Sequence, residues 1–285
     1  MKKLSVKLLS LIITILLILP LVFSCGEESP AQESKPTVKK SFEEMDEKEK
    51  AFYLLKSDVI KKTTNMRIDS KMIITGSVNG LVPVEIKITT ADVDLTSDSG
   101  EYTHNSITRV SAKSQYSSAS TFLMYGYQDG KMYIFTSTNG ETSRQWSPVS
   151  EEDYKKCIKD VESSAMSDFG DLEVTRGSCI LSENGNYIAT YSGASKGLIA
   201  FFEKILTEYA SMFKIPPVED VVLTYEITPD FKLISIKIDL VFKKEPYFDF
   251  SMITNATYDN ISFEKIDLEG DGFVQVEDLR DQLKQ

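Results

Sequence analysis

The chain has 285 residues, with 43 acids against 32 Lys and Arg and a formal charge of −11. That balance argues against a nucleic-acid partner and against general affinity for anionic surfaces. One His and three Cys leave little material for a zinc centre or a His-based catalytic triad.

Lys2, Lys3 and Lys7 precede an almost wholly apolar run over 8–23, interrupted by Pro20. The layout is that of a secretory signal peptide over 1–24. Val22-Phe23-Ser24-Cys25 resembles a lipobox, with acyl chains (palmitate among them) attached to Cys25 and the chain cut just before it. Phe23 departs from the usual small residue. The alternative is an uncleaved transmembrane anchor, for which the run is short. Either way the lipid bilayer is a partner, and the folded part is expected at the extracytoplasmic face of the cell membrane. Residues 25–40 are rich in Pro, Ser and Glu and read as a flexible tether. Loss of the three leader lysines leaves 29 bases against 43 acids, a charge of −14.

Ser41 with Glu44 forms a capping-box pattern, and Phe42, Met45, Phe52, Leu55 and Val59 make one apolar stripe, so a helix is expected over 41–62. A long antiparallel meander follows. Met66, Ile68, Met72 and Ile74 alternate with polar residues, as do Val82, Val84, Ile86 and Ile88. Asn79-Gly80, Asp98-Ser99-Gly100, Asp129-Gly130 and Asn139-Gly140 mark turns. Residues 101–114 alternate more weakly. Helices are expected over 150–165, opened by acids, and over 195–213, ended by Pro216-Pro217. Further strands are expected at 179–181, 187–191, 221–227, 231–242 and 247–258. One-sided strands need their apolar face covered, and the helices supply the cover.

His104 lies in a polar run with no nucleophile signature nearby, and reads as a surface residue on a strand. Cys157 and Cys179 are left after Cys25. Outside the cytoplasm they are expected to pair as a disulfide, the alternative being two buried free thiols.

Residues 267–285 look like an EF-hand or dockerin-type loop with a short helix after it. Asp267, Glu269 and Asp271 fall at alternate positions, Gly272 allows the sharp turn, and Phe273 offers a carbonyl. Gln275 and Asp278 complete a possible Ca2+ set. Glu269 and Asp278 depart from the usual residues, and no entering helix is evident. The other reading is a solvated acidic turn.

This order of parts resembles the LolA-like lipoprotein carriers, and within them the LppX/LprG-type lipoproteins. The likeness lies in the passage Phe52 to Ser70, in the hairpin Tyr127 to Trp146, and in the closing strands 227–258. It covers most of 41–266, taken as one domain. The resemblance implies an α+β fold: a curved antiparallel β-sheet, or half-barrel, with helices covering its concave face. It also implies a gap for an apolar or lipid ligand between the layers. The one-sided apolar residues would line that gap: Met66, Ile68, Met72, Ile74, Phe122, Met124, Met132, Ile134, Phe202, Ile205, Tyr209 and Met212. The bland reading is that they make an ordinary core. Two functions are therefore expected, both non-enzymatic. One is a lipid-binding carrier. The alternative is an envelope interaction or structural lipoprotein with a filled core, binding a protein partner through its outer sheet face or loops.

Overall fold

The computed structural model describes residues 41–54, 65–78, 82–138, 140–166, 174–209, 215–243, 248–280 and 282. The signal peptide, the tether and Cys25 lie outside these residues. So do Leu55, Val59, the Asn79-Gly80 turn, Asn139 and Met212, and the side chains of Ile205 and Tyr209.

Alternation of apolar and polar residues becomes strand pairing along most of the chain. Among the described residues, twelve strands form one curved, unclosed sheet. A first meander runs through β1 (Met66–Val78), β2 (Val82–Thr96), β3 (Tyr102–Ser114), β4 (Ser118–Gln128), β5 (Lys131–Thr138) and β6 (Glu141–Pro148). A second runs through β7 (Val174–Leu181), β8 (Tyr187–Ala194), β9 (Val218–Ile227), β10 (Leu233–Phe242) and β11 (Asp249–Thr257). Antiparallel pairing of β1 with β11 joins them, with Met72 opposite Met252 and Ile74 opposite Phe250. The two-residue β12 (Val274–Gln275) runs parallel to β6 at the far edge. At the β4–β5 hairpin, Asp129 and Gly130 take φ of 51° and 73°, the mirror-image turn that suits two-residue loops.

Three α-helices are described: α1 (Glu47–Leu54), α2 (Glu151–Met166) and α3 (Lys196–Tyr209). The single helix expected over 41–62 is split. Ser41 and Glu44 start only a 3-10 turn, Phe42–Glu44, where the Glu44 carboxylate accepts the Ser41 N–H at 3.0 Å. A second reciprocal cap then opens α1: Glu49 accepts the Asp46 N–H at 3.0 Å, and Asp46 accepts the Glu49 N–H at 2.8 Å.

Helix α1 lies on β7 and β8, and α3 lies on β8 and β9. The main core is packed beneath them. Tyr191 donates its hydroxyl to the Ala51 carbonyl at 2.7 Å, fixing α1 to the sheet. The Phe202 ring meets Phe250 at 6.2 Å, and Tyr191 meets Tyr225 at 5.4 Å. A register shift between Leu233 and Ser235 changes the simple alternation in β10, so that Leu233, Ile236, Ile238 and Leu240 are all buried.

Candidate functional site

The sheet face that carries the main core continues under α2, where it turns polar. Strand register places Asp92 opposite Ser106 and Asp94 opposite His104. Across the next pairing, Ser106 meets Tyr125 and His104 meets Tyr127. Tyr154 reaches down from α2 and is fully buried. Its hydroxyl lies 2.5 Å from His104 Nδ1, and His104 Nε2 lies 3.2 Å from Asp92 Oδ2. With a neutral imidazole, Nε2–H donates to the carboxylate and the phenol donates to Nδ1. Burial holds the Tyr154 phenol in its protonated form, which suits this arrangement. His104 is thus buried, not on the surface as its polar neighbours suggest. The Ser106 hydroxyl is also buried and has no hydrogen-bond partner among the described residues. Asp94 sits at the margin of this network. Burial raises its pKa to about 6, with His104 and Lys155 acting in the opposite direction and Asp92 adding to the rise.

The other sheet face is organised by rings and cations. Arg109 on β3 stands opposite Phe122 on β4, and Arg144 on β6 stands opposite Phe135 on β5. The Arg109 guanidinium is 5.3 Å from the Phe122 ring centre, Phe122 is 5.0 Å from Phe135, and Arg144 is 4.7 Å from Phe135. These four side chains make a ladder across four strands. Beside it is a half-open cleft of about 370 Å³, which includes Lys87, Arg109, Phe122, Ser120 and Ser137. A second, more open cleft of about 420 Å³ lies near Asp153, Glu277, Asp278 and Arg280.

The segment from Ile266 to Arg280 wraps the β6 edge. Gln128 holds Ile266 through two hydrogen bonds, of 2.7 and 3.0 Å. Leu268 and Phe273 are buried with Met124 and Tyr133 on the ring-bearing face. Gly126 makes room for this packing: a Cβ there would overlap the Tyr133 hydroxyl and the His104 carbonyl. Val274 and Gln275 then pair with β6. Leu279 is fully buried, and its N–H donates to Ser147 Oγ on the α2 side at 3.2 Å.

The expected site residues fall as follows. Met66, Ile68, Met72, Ile74, Met132 and Ile134 share the core face by register, whereas Phe122 and Met124 lie on the opposite one. They do not line one gap. Met72, Ile74 and Phe202 are part of the main core, and Met132 is fully buried. The acidic loop does not gather its oxygens. Asp267 Oδ1 accepts its own turn's Gly270 N–H at 2.9 Å, and the Arg280 guanidinium donates to both Asp278 oxygens. Glu269 points outward, 83% exposed at its side chain. Gln275 is exposed in β12, Phe273 has its ring in the core, and the Asp271 carbonyl accepts from Arg144 at 2.6 Å. Among the described residues, no group of three or more His, Cys, Asp or Glu could hold a metal ion.

Cys157 and Cys179 are both buried free thiols, which corrects the expected disulfide. They belong to different layers: Cys157 donates to the Arg280 carbonyl at 3.7 Å, whereas Cys179 sits in the main core. Asp92, Asp94, Ser106 and Tyr154 are barely legible as a unit before folding brings them together. The lone His, flanked by polar residues at strand spacing, was the only available signal.

No protein-family model matches the chain, and no curated protein sequence matches it. Among solved structures, it is similar to a porin-like protein from Bacteroides uniformis. The identity is 10%, over 70% of this chain and 98% of that one, with a TM-score of 0.24. It is also similar to a DUF1329 family protein from Desulfovibrio piger. There the identity is 10%, over 76% and 96% of the two chains, with a TM-score of 0.22. Among the described residues, no helix is long and apolar enough to cross a membrane.

Proposed function

We propose that the chain is a lipid-anchored, extracytoplasmic, non-enzymatic lipoprotein that recognises an envelope component with its outer surface around a filled core. In this reading Cys25 carries the anchor. The helices α1 and α3 cover the concave side of a LolA/LppX-like half-barrel. The observation that carries it is the packing between helices and sheet. Met72, Ile74, Phe202, Phe250 and Met252 are each no more than 2% exposed and belong to one cluster of side chains. A carrier would need that volume for its ligand. The burial of His104, Asp92 and Tyr154 supports a non-enzymatic role, since the chain's one imidazole is covered by α2.

The test combines lipid labelling with native mass spectrometry on the full chain expressed in a bacterial host. Labelled palmitate should enter the wild type and be lost in Cys25→Ser. The detergent-extracted protein should carry the covalent anchor and no exchangeable lipid. A lipid-mass adduct released on gentle activation would favour the carrier reading instead. Retention of the label in Cys25→Ser would remove the anchor from the proposal.

A further inference from the structure

We infer that the cleft beside the Arg109–Phe122 ladder binds an oxyanion-bearing saccharide, such as a uronate unit of an acidic glycan. The inference rests on the reading that the outer face, not the core, does the binding. The first reason is charge. The chain has more acids than bases, yet the cleft holds Lys87 and Arg109 and no carboxylate. Neither cation makes an ion pair among the described residues. Arg109 spends its guanidinium on the Phe122 ring, at 5.3 Å, leaving its N–H donors available for an anion.

The second reason is the remaining lining. Thr89, Ser111, Ser120 and Ser137 bring side-chain hydroxyls, each able to donate and accept. Register clusters them: Lys87 is opposite Ser111, Ser111 opposite Ser120, and Phe122 opposite Ser137. A row of hydroxyls beside a half-buried phenyl ring suits a sugar, which has hydroxyl edges and an apolar C–H face. Arg109 offers a fork to the carboxylate and Lys87 a point charge. Size is the third reason. About 370 Å³ is within the ~300–1,000 Å³ of small-molecule sites, much more than a bare oxyanion fills.

The experiment is titration calorimetry on the Cys25→Ser full chain with oligogalacturonate, a neutral maltooligosaccharide and inorganic phosphate. Oligogalacturonate should bind, weaken as salt rises, and lose roughly 10- to 100-fold in affinity in Arg109→Ala. Lys87→Gln and Phe122→Leu should each weaken it, with melting temperatures near wild type. The neutral sugar should not bind. Absence of oligogalacturonate binding, or unchanged affinity in both Arg109→Ala and Lys87→Gln, overturns the inference. Equal affinity for phosphate overturns the saccharide part and leaves a plain anion site. A lipid adduct in native spectra would count against the filled-core reading alone, so the two failures are distinguishable.

Discussion

Asp94 is where a single residue most clearly costs the fold something. Its carboxyl is raised to about 6 because burial penalises the charged form more than His104 and Lys155 favour it. A raised carboxyl binds its proton more tightly in the folded state. Its stabilising effect is therefore fully present below the unfolded value of 3.8 and lost as pH rises through about 6. At neutral pH the folded chain carries an uncomfortable charge beside Asp92. Asp94→Asn should stabilise the protein at pH 7.5 by about 1–2 kcal/mol, less than the full shift implies because the group is partly exposed. The gain should vanish near pH 4. Paired thermal melts at the two pH values check this, and an equal effect at both would refute it. Asp92 differs because it accepts from His104, which is in turn tied to Tyr154. The two acids, two residues apart, thus sit in different environments, a distinction that strand spacing alone does not reveal.

The acidic C-terminal stretch acts at the level of an element. Sheet edges expose unpaired N–H and C=O groups, and proteins cover them. Here the edge is β6, and Leu268, Phe273, Val274, Gln275 and Leu279 clamp it from both faces. Phe273→Ala removes a ring 6.2 Å from Tyr133 and 6.4 Å from Phe135, and should cost about 3 kcal/mol. Trp146, the chain's one Trp, sits at this edge with Lys131 Nζ 4.7 Å from its ring, and pairs with Gln275. Its fluorescence should therefore shift to the red in Phe273→Ala at low urea, before global unfolding. An unshifted spectrum would mean the clamp does not depend on Phe273. The loop's Gly272, with φ of 75°, was legible as a sharp turn. Its packing was not, because the spacing of the acids says nothing about where Leu268 and Phe273 go. Strands were legible wherever one face is apolar, as in β1, β2 and β9. In β3 the inward positions are His104, Ser106 and Thr108, so the alternation weakens although the strand is thirteen residues long. The 41–62 helix misled because a second cap, Asp46 with Glu49, follows the first within five residues.

At the scale of the whole molecule, β1 and β11 hold the two meanders together. Ser70 and Thr254, 184 residues apart, share a hydrogen bond of 2.9 Å at this seam. Alternation could reveal both strands but not that the first would pair with the eleventh, because apolar faces do not name their partners. The seam also makes one core of two meanders: Met72, Ile74, Ile86 and Ile88 from the first pack with Leu223, Tyr225, Ile238 and Met252 from the second. Long-range closure of this kind slows folding, into the millisecond-to-second range typical of β-rich chains. It should also make unfolding cooperative across the sheet. Met252→Ala, at a site 2% exposed and opposite Met72, should cost about 2–5 kcal/mol. The loss should be felt equally on both sides. Hydrogen exchange in a urea series would show amides of β2 and β9 opening together in wild type and variant. If β9 opened while β2 stayed protected, the meanders would be separate folding units and the seam a contact between them. Common opening would mean that the outer face of β2–β5, with its cationic cleft, is held in shape by packing on the far side of the same sheet.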